Sequence, residues 1–500
     1  MSSFITPIIQ INEACKYNNC ILGYGHFNSI HTGHIRYLKR AKDINNILLV
    51  AVLKDPQFQG VIFTQEERAE SIAQLGIANA IVLLPDNNLE KAVNIINPRE
   101  LILGKEYENS NINNINTTVK NLKAKNKAIY FHAGEINYAN TELLTISEDN
   151  LKKEREKEFL KALKRQNISC ENLIETSKRI KNTKLIVIGD SIVDQYASCE
   201  ALGMSAEAPV IVVKELEQKN FVGGAAIVAS HITRLGSECE FISVIGSDEP
   251  GKWIHKELKK NSVKPNLFID KNRPTTFKKR YIVENQKLFR VSRLEDHMID
   301  KETTKKILDY VYKASLNANG IVISDFVYGI ITGELLKGIT KFANESGIKL
   351  YGDLQCSSQI GDISRMEDFT LICPNEREAR ISIQNKDIGL EELCRILISK
   401  TKCENLIMKL GANGFIVYSH QKGESPRVQA FPALSVNPVD VSGAGDTLLS
   451  IMAAGLSSGS KIMDVAALAC CGSAIAVDTM GNNPIEIEKI IDKAIKIFNK

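Results

Sequence analysis

A run of small residues that ends in an acid, Gly443-Ala444-Gly445-Asp446, has the residue types that phosphoryl transfer needs. Apolar residues follow it from Leu448 onward, which indicates that a tight turn leads directly into a helix. The free backbone N–H groups at the start of a helix bind anions such as phosphate. A carboxylate there would repel phosphate, but it is suited to accept a proton from an attacking hydroxyl. We therefore predict an anion hole at Gly443, Ala444 and Gly445 with Asp446 as the general base, and a simple helix cap is the alternative.

An Asn and a Glu three residues apart, Asn375 and Glu378, come directly after a predicted strand and Pro374. This spacing places both side chains on one face of a helix. Their oxygens are hard ligands that suit Mg²⁺ bound through water. We predict a magnesium role because the order of strand, Asn-x-x-Glu and a distant Gly-Ala-Gly-Asp stretch is the order that phosphoryl transfer needs. A capping pair is the alternative interpretation.

Two histidines near the N-terminus, His31 and His34, lie on either side of Gly33 where a helix over residues 35–42 is predicted to begin. Both side chains can point at one phosphate while the helix start adds N–H donors. Glycines at positions 25 and 33 allow a phosphate to approach the backbone closely. A solvated turn that contains two histidines is the alternative.

The first part of the chain has the β-α-β-α pattern of a parallel sheet. Its predicted strands cover residues 21–24, 47–53, 80–84, 101–104 and 128–131. Ligands of such sheets bind beyond the carboxyl ends of the strands, which is where Gly25 and the two histidines lie. Residues 1–142 are therefore predicted to form a Rossmann-like α/β domain.

A segment of mixed charge, residues 143–183, is predicted to be a helical linker between this domain and a second module. In residues 184–500, helices again alternate with strands, which predicts a large parallel sheet. The predicted strands cover residues 184–190, 320–324, 349–352, 369–373, 405–409 and 414–418. The fold class is thus α/β throughout.

Two stretches rich in β-branched and aromatic residues, 207–213 and 277–293, predict a small separate sheet that acts as a lid on this second module. Asp194 follows the end of the first strand, and Gly223 and Gly224 begin a helix at a place where backbone can approach a ligand. Exposed sheet edges invite pairing, and two-fold dimers are the commonest oligomers. We therefore predict a homodimer that forms through the lid.

The composition excludes several classes of partner. Apolar residues make up 44% and charged residues 24% of the 500 residues, as in folded soluble proteins of more than one domain. The net charge of +4 is spread along the chain, which argues against nucleic-acid and membrane partners. Eleven cysteines contain no C-x-x-C pair, as expected of free thiols in a reducing compartment. The longest apolar run, residues 466–477, is too short to span a bilayer, and we expect a cytoplasmic protein.

The H-x-G-H constellation resembles the cytidylyltransferase-like nucleotidyltransferases, and the resemblance extends over most of residues 18–145. It implies that His31 and His34 stabilise the triphosphate of ATP or CTP while a nucleotidyl group passes to a sugar phosphate. The residues that it implies for phosphate binding are Gly25, Phe27, Gly33 and Arg68. The basic residues that the family has after its second strand are missing from residues 55–60, so a domain that only binds nucleotide is the alternative.

Residues 184–500 resemble the ribokinase-type (PfkB) sugar kinases, and the Asp-Val-Ser-Gly-Ala-Gly-Asp stretch over residues 440–446 is the most specific match. Further matches at residues 189–190, 205–210 and 223–226 resemble the heptose 7-phosphate kinase half of bifunctional proteins of ADP-heptose synthesis, in which the kinase usually comes first. The resemblance implies ATP and Mg²⁺ as cofactors. It implies sugar binding by Asp194, Gly223, Gly224 and Arg290, and an ATP site edged by Lys409 and Gly411.

The sequence therefore predicts a sugar or sugar-phosphate kinase fused to a nucleotidyltransferase, which together make an activated nucleotide sugar. The alternatives are a kinase whose N-terminal domain binds nucleotide or partners without turnover, and a regulatory protein without chemistry. One departure concerns substrate choice. Ile227 stands where the kinase family has an Asn near the sugar, and we predict that it shifts sugar preference unless it faces the core.

Overall fold

The computed structural model describes residues 6–27, 32–55, 64–104, 107, 112–125, 127–132, 148–208, 210–284, 286–356, 359–385, 388–420 and 427–499, with backbone alone at 32, 33, 36, 132 and 148. The chain separates into two compact units. The first comprises Met1–Leu151 and Asn385–Arg395, and the second comprises Lys152–Gln384 and Ile396–Lys500.

The first unit contains a parallel sheet of six described strands in the order β1-β4-β3-β2-β5-β6. The strands are β1 (Ile8–Gln10), β2 (Ile21–Gly25), β3 (Leu48–Val52), β4 (Ala80–Leu83), β5 (Glu100–Gly104) and β6 (Ala128–His132). The helices are α1 (Thr32–Ile44), α2 (Gln65–Ala73), α3 (Leu89–Ile96) and α4 (Asn113–Ala124). The five predicted strands are confirmed. Among the described strands of this unit, the sequence missed the edge strand β1 alone, because three residues are too few to reveal a period.

Two helices lead into the second unit, α5 (Glu148–Arg165) and α6 (Cys170–Ile180). Several of their charged residues are exposed, although Glu156 is buried, and Phe159, Leu163 and Leu173 join the main hydrophobic core of this unit. The guanidinium of Arg155 also donates to the carbonyl of Ala433 at 2.9 Å. The charged segment therefore packs on the second unit as an amphipathic layer.

The second unit is built on a sheet of nine described strands in the order β11-β10-β7-β14-β15-β16-β17-β18-β19. Its strands are β7 (Lys184–Gly189), β10 (Glu238–Ile245), β11 (Lys264–Ile269), β14 (Gly320–Asp325), β15 (Lys349–Leu354), β16 (Leu371–Ile372), β17 (Asn405–Lys409), β18 (Phe415–Ser419) and β19 (Arg427–Phe431). The prediction of a parallel sheet is wrong for the last two strands, which run antiparallel to their neighbours. The connection from β17 to β18 is too short for the crossover that a parallel pair requires.

A second sheet of four described strands, in the order β13-β12-β8-β9, forms the lid. Its strands are β8 (Ser191–Met204), β9 (Ile211–Gly224), β12 (Thr276–Val283) and β13 (Gln286–Arg293). The separate sheet is confirmed, but it is longer than predicted, since Asp194 itself lies on β8. Glu207 lies in the turn before β9 rather than in a strand.

Helices of the second unit cover the large sheet. They are α7 (Ala225–Arg234), α8 (Glu249–Lys260), α9 (Lys301–Ser315), α10 (Gly333–Ser346), α11 (Glu376–Ile383), α13 (Ala444–Ser457), α14 (Ile462–Val477) and α15 (Ile487–Phe498). Helix α12 (Leu390–Thr401) is divided between the two units after Arg395. Nearly every residue of α13 and α14 is buried, as expected of helices that are apolar all round. Among the described residues, no helix has the length and apolar character needed to cross a membrane.

Ile227 lies on α7 and is fully buried in the main core of the second unit. The structure therefore supports the alternative that this residue faces the core, while its effect on sugar choice stays a prediction. An isoleucine in this place stabilises the protein by excluding apolar surface from water.

We expect Ile227→Asn to lower the free energy of unfolding by roughly 3–5 kcal/mol, because it removes apolar contacts and buries an unpaired amide. Ile227→Val is the matched control, with an expected loss of about 0.5–1.5 kcal/mol. Chemical denaturation of the parent and both variants measures these values. If Ile227→Asn were as stable as the parent but preferred different sugars, the result would support a position of Ile227 in the sugar pocket.

Candidate active site

The predicted anion hole lies at the start of α13. Gly443 is the residue before the first helical turn and has φ of 82°, a left-handed conformation that favours glycine. A side chain at this position would also collide with the Asn482 amide. Ala444 and Gly445 follow in the first turn, and no side chain caps the N–H groups there within the described part of the chain. These N–H groups are therefore available to an anion.

Asp446 lies in the same turn and is buried. The side-chain amide of Gln355, which follows β15, donates to its Oδ1 at 2.7 Å. Burial, reinforced by the nearby Asp353 carboxylate and opposed by Lys409, raises the pKa of Asp446 to about 7. A carboxylate whose pKa is near neutrality matches the requirement for a general base.

Lys409, at the end of β17, forms an ion pair with Asp353 at the end of β15. Its ammonium lies 2.8 and 2.7 Å from the two carboxylate oxygens, and Asp353 is fully buried. Burial alone would lower the pKa of Lys409, but the carboxylates of Asp353 and Glu378 outweigh it and raise that pKa. A Cβ added at Gly445 would lie 3.3 Å from the ammonium, so Lys409 lies directly against the first turn of α13. The predicted ATP-site residue thus supports the anion hole.

Gly411 begins a short 3₁₀ helix just after Lys409 and has φ of 59°. Apart from its chain neighbours, no heavy atom of the described residues lies within 4 Å of the position that its Cβ would occupy. The predicted edge of the ATP site is therefore open space beside the Lys409 backbone.

Asn375 and Glu378 form a capping box at the start of α11. Asn375 Oδ1 accepts from the Glu378 N–H at 2.9 Å, and Glu378 Oε2 accepts from the Asn375 N–H at 2.8 Å. Glu378 Oε1 also accepts from the N–H of Cys356 at 3.3 Å. The capping alternative is thus present, while the magnesium role stays a prediction. No group of three or more His, Cys, Asp or Glu side chains suited to a metal occurs among the described residues.

The residues predicted to bind sugar lie where the lid meets α7. The Asp194 carboxylate on β8 is buried and accepts from the guanidinium of Arg280 on β12. Gly223 faces this carboxylate, and a side chain there would collide with it. Gly224 has φ of 64° and lies against the Asp190 carbonyl. The structure thus brings three predicted residues together and adds Arg280, which the sequence did not single out.

Arg290 lies on β13 directly opposite Arg280 in the strand register, and its side chain is exposed. It therefore lies on the edge strand of the lid, whereas Arg280 lies on the inner strand β12. Arg280 also lies over the ring of Tyr196, 5.3 Å from its centroid. Because directly paired residues share one face of a sheet, the two arginines differ through the position of their strands, which sequence alone does not reveal.

Asp440, at the start of the signature stretch, joins the lid to the loop before α13. Its carboxylate accepts from the Tyr196 hydroxyl at 2.7 Å, from the Lys287 ammonium at 2.8 Å and from the N–H of Ser442 at 3.0 Å. Burial opposes ionisation, but these donors outweigh it and lower the pKa of Asp440 to about 2. An ionised Asp440 therefore ties two lid strands to the anion hole.

A buried histidine that the sequence did not single out, His231 on α7, supports the start of α13. The N–H of Ile485 donates to His231 Nδ1 at 3.4 Å, so the proton of the neutral ring lies on Nε2. That N–H bonds Thr447 Oγ1 at 3.1 Å, and the Thr447 hydroxyl donates to the Gly443 carbonyl at 2.9 Å. Burial lowers the pKa of His231 to about 3, which keeps this chain of hydrogen bonds in one protonation state.

In the first unit, the predicted phosphate site lies at the end of β2. Gly25 ends the strand, Phe27 follows with φ of 55°, and its ring packs against that of His34 at 5.1 Å between centroids. Gly33 lies in the first turn of α1. The His31 prediction lies outside the described residues.

Arg68 is fully buried, and its guanidinium points into the protein. It donates to the Leu53 carbonyl at 2.8 Å, to Asp55 at 2.6 Å and to the His26 carbonyl. These bonds tie together the loops that follow β2 and β3. The role of Arg68 as a phosphate ligand stays a prediction, while its structural role follows from these contacts.

Comparison with known families finds two family models, whose matched ranges overlap over residues 182–261. A family model described as pfkB family carbohydrate kinase matches residues 182–489. A second, described as Cytidylyltransferase-like, matches residues 22–261. The cytidylyltransferase-like match begins first, which is the order of domains expected from the sequence.

Individual proteins are also similar to this chain. The chain is similar to the bifunctional protein HldE of Helicobacter hepaticus, with 30% identity over 60% of this chain and 62% of that protein. It is similar to HldE of Geotalea uraniireducens at 30% identity over 63% of each chain. The match therefore spans less than two thirds of these curated relatives. Escherichia coli phosphofructokinase-2, solved in complex with potassium, shares the fold at 16% identity with a TM-score of 0.53 over 63% of this chain and 99% of that one.

Proposed function

Because this chain belongs to the pfkB family of carbohydrate kinases, we propose that its second unit transfers the γ-phosphoryl group of ATP to a sugar phosphate, with Asp446 as the general base. The observation that carries this proposal is the buried Asp446 carboxylate in the first turn of α13, beside the uncapped N–H groups that follow Gly443. A base and an anion site then share one helix turn. That arrangement brings the attacking hydroxyl and the phosphate together.

In the proposed reaction, Asp446 accepts the proton of the acceptor hydroxyl as its oxygen attacks the γ-phosphorus. The N–H groups of Ala444 and Gly445 stabilise the charge that develops on the phosphoryl oxygens. The Lys409–Asp353 pair holds β17 and β15 against this turn. Gly411 leaves open space for the nucleotide next to the Lys409 backbone.

Magnesium would accompany ATP and neutralise its phosphates. Asn375 and Glu378 are the proposed protein contacts of the ion, made through water. Their capping bonds do not use every lone pair of the oxygens, so each side chain retains acceptor capacity for a metal-bound water.

For the acceptor, we propose a phosphorylated sugar held between the lid and α7, of which heptose 7-phosphate is the first candidate. Asp194 would accept from sugar hydroxyls, and Gly223 and Gly224 would allow the ring to approach the backbone. Arg290 on β13 would contribute charge from the lid. The similarity to HldE proteins supports this class of acceptor.

For the first unit, we propose nucleotidyl transfer from ATP, or CTP, to a sugar phosphate, so that the whole protein makes an activated sugar such as ADP-heptose. The cytidylyltransferase-like match and the position of His34 at the start of α1 support this proposal. The Arg68 guanidinium donates to protein groups, which makes it less available to stabilise a triphosphate. A first unit that binds nucleotide without turnover is therefore the second candidate.

We expect Asp446→Asn to reduce single-turnover phosphorylation of heptose 7-phosphate by about 10²–10⁴-fold while ATP still binds, because the amide cannot accept the proton. In the parent, the rate should fall below about pH 7, where Asp446 becomes protonated. Asp464→Asn, which changes an aspartate in the first turn of α14, is the matched control. Turnover of Asp446→Asn within about threefold of the parent would refute the assignment of the base.

We expect His34→Ala to reduce pyrophosphate release from ATP or CTP in the presence of a sugar 1-phosphate by about 10²-fold or more, because a stabilising donor is lost. His255→Ala in the second unit is the control. Loss of release with unchanged kinase activity supports a catalytic first unit. A parent that releases no pyrophosphate, yet binds CTP in a manner that requires His34, supports the binding-only candidate.

We further propose that two copies pair through the lid. Beyond Cys199, β9 is the one described strand that pairs with β8, and a two-stranded ribbon is marginally stable by itself. The described lid exposes a group of large apolar side chains, namely Leu202, Met204, Val210, Ile211, Val212, Leu216, Phe289 and Val291. A second copy of the lid would cover this patch and complete the ribbon.

Light scattering at micromolar concentration should therefore give the mass of a dimer, and Leu216→Asp should give a monomer because it places a charge in the apolar patch. Leu316→Asp is the matched control, since Leu316 is an exposed leucine outside the lid. A parent of monomer mass, or equal masses for the two variants, would rule out pairing through the lid.

A further inference from the structure

Gln355 follows β15 and is held at both of its ends. Its backbone N–H donates to the Asp325 carbonyl at 2.8 Å, and its side-chain amide donates to Asp446 Oδ1 at 2.7 Å. Within the described residues, no backbone N–H of α13 donates to the Asp446 side chain. Gln355 is therefore the group that sets the direction of this carboxylate.

We propose that Gln355 is a positioning residue for phosphoryl transfer, which fixes one oxygen of Asp446 so that the other faces the acceptor hydroxyl. This inference rests on the proposed kinase function and concerns a residue to which neither the sequence nor the family resemblance gave a role. An acid in the third position of a helix commonly turns back to bond the free N–H groups of its own first turn. The bond from Gln355 holds Asp446 away from them, which leaves those N–H groups to the phosphate.

The step in which Gln355 takes part is a balanced proton and phosphoryl transfer. A bond forms between the acceptor oxygen and the γ-phosphorus, and the bond from that phosphorus to the β-phosphate oxygen breaks. The hydroxyl proton passes to Asp446 Oδ2, and ADP leaves with the electron pair of the broken bond. The amide hydrogen of Gln355 stays on Oδ1 throughout and stabilises the ionised carboxylate before the proton arrives.

The charges that face Asp446 explain why a neutral donor matters here. Asp353 on β15 and Asp194 on β8 repel its carboxylate, whereas Lys409 on β17 attracts it. Lys409 is already paired with Asp353 and also faces Glu378. The hydrogen bond from Gln355 favours the ionised form, so its removal should raise the pKa of Asp446 further.

The test compares single-turnover phosphorylation of heptose 7-phosphate by the parent, Gln355→Met and Gln166→Met from about pH 6 to about pH 9. Methionine has a similar length but no N–H, and Gln166 is a half-buried glutamine that bonds Gln429 at 3.1 Å, away from Asp446. We expect Gln355→Met to lose about 10-fold to 100-fold in rate, with a KM for ATP within about twofold of that of the parent. The acid limb of its pH–rate profile, which is the fall in rate toward low pH, should move to higher pH.

Gln355→Lys supplies a second readout, because it keeps an N–H donor and adds a positive charge. Its acid limb should move to lower pH than that of the parent, opposite to the shift of Gln355→Met. A loss of packing alone would not move the two limbs in opposite directions. If Gln355→Met folds poorly, as thermal unfolding would reveal, the direction of the shift in Gln355→Lys decides the question.

The two possible failures are distinguishable. Suppose that the parent is active but Gln355→Met has the same rate and the same pH dependence as Gln166→Met. This result, or a Gln355→Lys variant whose pH dependence does not change, would overturn only the role of Gln355. A parent that phosphorylates no sugar phosphate, or an Asp446→Asn variant of parental rate, overturns the proposed kinase mechanism and this inference with it.

Discussion

The ion pair between Lys409 and Asp353 is the interaction on which the kinase site depends. Asp353 is fully buried, so removal of either partner would leave an uncompensated charge in the interior, at a typical cost of about 3–5 kcal/mol. The pair also connects three elements. The Lys409 backbone bonds Pro374 just before α11, its ammonium bonds Asp353 at the end of β15, and the same ammonium lies against Gly445 in α13. The proposed base, the proposed anion hole and the capping box are therefore held in one rigid frame.

Asp440 and His231 connect the residues proposed to bind sugar with those proposed to bind phosphate. Asp440 receives bonds from Tyr196 on β8 and Lys287 on β13, and it lies three residues before the anion hole. His231 makes a similar connection, because it links α7 to the carbonyl of Gly443 through Thr447. The lid thus contacts the loop just before α13, and the helix that would hold the sugar contacts the first turn of α13. Movement of either would therefore displace the groups that are proposed to bind the phosphate.

Much of this could be predicted from the sequence because it depends on local pattern. Alternating apolar runs indicated the strands, and the small residues before Asp446 indicated an anion site with an acid beside it. What could not be predicted depends on contacts between distant positions. Gln355 and Asp446 are 91 residues apart, and Lys409 and Asp353 are 56 apart, so no spacing reveals either pair. Ile227 and Arg68 show a related limit, since only packing shows whether a side chain points into a pocket or into the core.

The burial of α13 and α14 has a consequence for how the protein is made. Both helices belong to the main core of the second unit, and α13 packs on α7, whose His231 precedes its partner Thr447 by 216 residues. While the chain is being synthesised, the surface of α7 that packs on α13 stays uncovered until α13 has been made, and such exposed surfaces favour aggregation. The second unit therefore closes its core late, after translation has passed residue 477. A nascent chain that stalls before that point would be a substrate for chaperones and proteases rather than a partly active enzyme.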